Sequence, residues 1–169
     1  KKLNSEISPE DVWISGHSLG GINARSIASE YGGLILLSSY FARLGDRDQS
    51  DFPKFQKPVL VLSGELDGMT RPGYLARDAK FDTTNTNLED WNKSVLLLPR
   101  VNHSLFAYDD YLIKGDIPTK LNPSAGRKLI ARAVGLFLTI HSDQTKGQLK
   151  ANAIKDLYEI KRQSDELLS

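Results

Sequence analysis

Val12-Trp13-Ile14-Ser15-Gly16-His17-Ser18-Leu19-Gly20-Gly21 decides the reading of this chain. A short β-rich apolar run enters a GxSxG motif, and a helical pattern leaves it. The motif requires that context, because its serine must sit on a strained strand-to-helix turn that projects Oγ from the end of a sheet. Small residues around the serine let strand and helix pack closely; Gly16 and Gly20 are assigned that task, and Gly21 extends it. Neither GxxxxGK[ST] nor GxGxxG is present, so the turn is not a phosphate loop of either kind.

Outward from the motif, three more apolar runs follow: Leu34-Ile35-Leu36-Leu37, Val59-Leu60-Val61-Leu62 after Pro58, and Val95-Leu96-Leu97-Leu98 before Pro99. Each run is continuous rather than alternating, as strands buried on both faces of a parallel sheet must be. Between the first two, Ile22, Ile27, Ala28 and Tyr31 fall near helical spacing, with Gly32 at the expected C-cap. Arg71 to Trp91 should hold a helix and a polar loop. Asn122-Pro123-Ser124 is a helix start, and Leu129, Ile130, Ala133, Val134, Phe137 and Ile140 then recur at i+3/i+4. A last helix is expected from about Gly147 to Leu167, with Leu149, Ala153, Leu157 and Ile160 on one face. The order predicts an α/β fold with a mostly parallel sheet and flanking helices, as a single domain over residues 1–169.

Composition narrows the function. The 169 residues carry 22 Lys+Arg against 21 Asp+Glu, a formal net charge of +1, without the clustered basic excess of a nucleic-acid binder. There is no cysteine, which excludes disulfides and thiolate-bound zinc. No apolar run approaches the roughly 20 residues of a membrane span, and Lys1 to Glu6 lacks the apolar core of a signal peptide. Asp46, Asp48 and Asp51 form an acidic cluster without the central Gly and terminal Glu of a calcium loop, so no metal is expected.

A serine hydroxyl is a weak nucleophile until a base removes its proton. Ser18 is the candidate nucleophile. Of three histidines, His103 lies on the loop after the fourth apolar run, where sites of parallel sheets are built. His17 is expected to point away as packing or as pocket wall, and His141 to be a solvated helix end. Asp67, flanked by Gly68 after the third run, is the candidate acid that orients the base; Glu65 is its rival. Ser18, Asp67 and His103 then occur in the order nucleophile, acid, base. Tyr40, Phe41, Met69, Tyr74, Phe106 and Tyr108 follow the strands and are candidates for lining an apolar substrate pocket.

On the GHSLGG turn, on LSGELDGMTRP and on LPRVNHSLF, the chain resembles the α/β-hydrolase superfamily over about residues 8–141. It is most similar to the lipase, carboxylesterase and dienelactone-hydrolase-like branch. The resemblance implies a serine hydrolase that cleaves a small ester or lipid-like substrate through an acyl-enzyme, without a cofactor. It leaves open an acyltransferase with the same triad, and a non-catalytic ligand-binding subunit. The backbone N–H of Leu19 would be one oxyanion donor. Family members have further strands before the serine turn, and one of their loops supplies the second donor. Only Lys1–Asp11 precede the first strand here. The expectation is therefore the C-terminal half of such a domain, completed by a second chain or a preceding segment that pairs along residues 12–14.

Overall fold

A computed structural model describes residues 7–41, 51–85, 90–107 and 112–169, with the side chains of Asp51 and Asn85 left aside. Its sheet has four strands in the order β1-β2-β3-β4, all parallel: β1 (Trp13–His17), β2 (Gly33–Leu37), β3 (Val59–Gly64) and β4 (Lys93–Leu98). The helices are α1 (Leu19–Arg25), α2 (Asp51–Lys54), α3 (Pro72–Asp78), α4 (Pro123–His141) and α5 (Gly147–Leu168).

The continuous apolar runs have the expected consequence. Alternate residues in the middle of β2, β3 and β4 enter opposite cores, so those positions are apolar in an unbroken run. Ile35, Leu60, Leu62, Leu96 and Leu98 pack with Trp91, with Ile130, Ala133, Phe137 and Ile140 of α4, and with Ala153, Leu157 and Ile160 of α5. Leu34, Leu36, Val59, Val61, Val95 and Leu97 pack on the other face with Ala24 of α1, Leu75 of α3, Phe41 and Phe52. Asn122 caps α4 by accepting from the N–H of Ser124 at 2.9 Å, with Pro123 in the first turn, as the sequence signals.

Three local expectations are corrected. The first helix ends at Arg25, and Ala28–Glu30 form a separate 3-10 turn. Gly32 is therefore not its C-cap; it leads into β2, and its N–H donates to Val12 O at 2.9 Å. Leu149 lies in the first turn of α5 but is 63% exposed, off the buried stripe of Ala153, Leu157 and Ile160. His141 is not a solvated end. Its ring packs against Trp13 and Phe137, at 5.8 and 4.5 Å between centroids, and Nε2–H donates to Trp91 O at 3.0 Å.

The two edges of the sheet differ. On β4, the N–H groups of Val95 and Leu97 donate to Asp82 Oδ2 at 2.8 Å and to Ser164 Oγ of α5 at 2.7 Å. Asp82 in turn lies 3.5 Å from the buried Lys161 Nζ of α5. Side chains thus close that edge. On β1, Val12 O and Ser18 N bond toward β2. Alternation then aims the N–H and C=O of Trp13, Ser15 and His17 outward. Among the described residues no strand pairs with that edge.

Candidate active site

The C-terminal ends of the strands carry all the backbone strain recorded for non-glycine residues among those described. Ser18 after β1 has φ 52°, Ser38 after β2 has φ 48°, and Arg100 shortly after β4 has φ 58°. Ser18 also has ψ −123°, outside the left-handed helical well, so the turn is strained by sterics alone. Two glycines allow it. A Cβ on Gly16 would meet Gly20 O at 2.3 Å, and one on Gly21 would meet Ser39 Oγ at 2.6 Å. A Cβ on Gly20 would meet nothing within 4 Å, so the task assigned to Gly20 falls to Gly21.

Asp67 and His103 are brought together. His103 Nδ1 lies 3.0 Å from Asp67 Oδ1 and 3.2 Å from Oδ2, both side chains being buried. The loops that carry them are joined by hydrogen bonds from Glu65 N to Leu98 O and from Leu66 N to Val101 O, each 2.9 Å. Asp67 Oδ1 also accepts from the N–H of Met69 and of Thr70, at 3.0 and 2.6 Å, and Oδ2 from Ser63 Oγ at 2.9 Å. Glu65, the rival acid, instead accepts from Arg100 N at 2.8 Å.

Ser38 is a site residue that sequence reasoning missed. Fully buried, it donates its hydroxyl to Asp67 Oδ2, and its Oγ lies 2.6 Å from His103 Nδ1. An ionised Asp67 has no proton to give, so the His103 proton sits on Nδ1, between Asp67 and Ser38. In that neutral tautomer the lone pair is on Nε2. The only sequence signal for Ser38 is its place directly after an apolar strand.

Ser18 directly follows His17, and it is the His17 ring that contacts this pair. The His17 ring does not point away. It lies 4.7 Å from the His103 ring and 6.3 Å from Phe106, nearly parallel to the latter. Burial and then the neighbouring His103 ring hold His17 below the ordinary histidine value, which keeps it neutral at pH 7. Among the described residues no hydrogen bond joins Ser18 Oγ to His103. Such contacts commonly tighten only when a substrate binds.

The remaining expected lining residues divide. Leu19 opens α1 and is 68% exposed, with its N–H among those a helix leaves without an internal partner. Met69 is 48% exposed beside the acid, and Phe106 packs on His17. Tyr40 is half-buried with its ring 5.3 Å from Tyr74. Phe41 is corrected to a core residue: it is buried, stacked on Phe52 at 4.4 Å, with its N–H bonded to Asp78. Tyr108, Asp46 and Asp48 lie outside the described residues, as does the side chain of Asp51. No group of metal-ligating side chains is found among the described residues, and no helix there is long and apolar enough to cross a membrane.

In comparisons with protein-family models, curated proteins and solved structures, none gives a significant match to this chain.

Proposed function

We propose that this chain is a serine hydrolase of the α/β-hydrolase type that cleaves a carboxylic ester with an apolar acyl group. The observation that carries the reading is the buried Asp67–His103 pair at 3.0 Å, in contact with His17, the residue that leads into Ser18 on its strained strand-to-helix turn. Ser18 Oγ attacks the ester carbonyl while His103 Nε2 takes its proton, and Asp67 stabilises the imidazolium that forms. The oxyanion receives the N–H of Leu19. Collapse expels the alcohol, which takes the proton from His103 and leaves the acyl group on Ser18. Water, deprotonated by the same imidazole, then releases the acid and restores the serine. A second oxyanion donor comes from a segment that pairs along the open edge of β1; one such donor contributes about 2.7–4 kcal/mol in comparable sites.

The test is ester turnover by the intact protein. Ser18→Ala and His103→Ala should each lower it by about 10⁴-fold or more, and the double variant should lose little further, because the groups act as a unit. Additive losses would contradict the reading. The second reading is a non-catalytic ligand-binding subunit, favoured by the missing hydrogen bond between Ser18 and His103. It predicts no turnover by the intact protein and none to lose.

A further inference from the structure

We infer that Asp116 is a positioning residue: its carboxylate locks the loop that carries Asp67 and the loop that carries His103 into one register. The inference rests on the reading of that pair as the acid and base of a hydrolase.

Asp116 belongs to no strand or helix; it lies between the base loop and α4 and is buried. Five hydrogen bonds converge on its carboxylate. Oδ1 accepts from the N–H of Gly68 at 3.0 Å, of His103 at 3.2 Å and of Ile117 at 3.0 Å; Oδ2 accepts from Ser104 N at 2.8 Å and Ser104 Oγ at 2.7 Å. Gly68 directly follows the acid, and the N–H of His103 is the base's own. One carboxylate therefore reaches the backbone on both sides of the 3.0 Å contact between Asp67 and His103.

The local geometry is built around this approach. A Cβ on Gly68 would meet Gly115 O at 2.3 Å and Asp116 Cα at 2.9 Å, so only glycine lets the segments come this close. Gly115, at φ 96°, turns the chain into place. Ser104 Oγ, while donating to Asp116, accepts from Ile113 N at 2.9 Å and closes the turn. Burial would raise the carboxyl of Asp116, but the hydrogen bonds from Gly68, Ser104 and His103 outweigh it and hold the group below the ordinary carboxylate value. It is a fixed anion at neutral pH. The start of each loop is already anchored to the other at Glu65 and Leu66. Asp116 acts further along, where the two functional side chains branch off.

The chemistry predicts what Asp116→Asn does. An amide oxygen can keep the place of Oδ1, but the amide NH2 then faces the N–H of Ser104, donor against donor. The base loop must shift. A displacement of about 1 Å costs on the order of 10²-fold in rate. In the intact protein, Asp116→Asn should lower kcat by about 10²-fold with KM within about twofold of wild type. It should also move or broaden the downfield proton resonance of His103 Nδ1–H, which a residue serving stability alone would leave in place. Should the Asn variant fail to fold, Ser104→Ala removes one donor to Asp116 and should show the same pattern with a smaller loss of kcat. Absence of ester turnover in the wild type would count against the hydrolase reading only, since the resonance reports the hold of Asp116 on the pair without turnover. A folded variant that keeps both kcat and the resonance, or, in a protein without turnover, the resonance alone, overturns the role given to Asp116.

Discussion

Asp67 and Glu65 are two positions apart, and only one can serve the base. Asp67 is surrounded by hydrogen-bond donors and touches His103, whereas Glu65 bonds the strained Arg100 backbone. Asp67→Asn should cut ester turnover by about 10⁴-fold, as the loss of the orienting acid does in such triads. Glu65→Gln should keep turnover within a few-fold of wild type. Steady-state kinetics of both variants checks this, and a larger loss for Glu65→Gln would reverse the assignment. Ser38→Ala removes a buried hydrogen bond to a charged group, which contributes about 1.5–3 kcal/mol. Turnover should fall about tenfold or more; an unchanged rate would make Ser38 packing only. Asp67 and His103 were legible because each follows an apolar strand run at the end of the sheet where sites form. Ser38 shares that place after a strand, but a serine there carries no chemical signal of its own as an acid or an imidazole does, and Asp116 follows no strand run at all.

At the scale of elements, the strand-to-helix turn was legible and its detail was not. The motif names Gly16, Gly20 and Gly21 alike, but close approach is a property of two packed backbones, and only Gly16 and Gly21 are crowded. Gly16→Ala should destabilise by about 1–3 kcal/mol or displace α1, since the crowding atoms are backbone. Gly20→Ala should be neutral or stabilising by up to about 1 kcal/mol, because Ala is the better helix former. Thermal melts of the two variants make the comparison. The strands themselves were readable from their continuous apolar runs, whereas the early end of α1 was not, because Ile27 and Ala28 keep helical spacing while sitting in and beside a 3-10 turn. His141 joins α4 to β1 and the loop before β4. Burial holds it below the ordinary histidine value. The unfolded chain therefore binds a proton that the folded chain resists. Stability should fall as pH drops through about 6.5, the unperturbed histidine value. His141→Gln, which keeps a donor for Trp91 O, should weaken that dependence in pH-resolved melts; an unchanged slope would assign it to other groups.

At the scale of the whole molecule, one edge of the sheet is closed and the other, among the described residues, is open. The Asp82 and Ser164 contacts seal β4, and the second could not be seen in a sequence that places Ser164 67 residues after Leu97. Among the described residues no strand pairs with the outward groups of Trp13, Ser15 and His17; the proposed hydrolase function assigns them a partner strand that would also bring its second oxyanion donor. In residues 1–169 alone, the amides of Ile14, Gly16 and Ser18 should resist hydrogen exchange while those of Trp13, Ser15 and His17 exchange quickly. In the intact protein both sets should be protected. Equal and rapid exchange in the intact protein would remove the partner strand. The central claim is that Ser18 is an activated nucleophile, and covalent labelling reads it most directly. After the intact protein is treated with a fluorophosphonate and digested, mass spectrometry should place one adduct on Ser18. The adduct should be absent in Ser18→Ala and strongly slowed in His103→Ala. No adduct on Ser18, or labelling that Ser18→Ala leaves unchanged, would contradict the account.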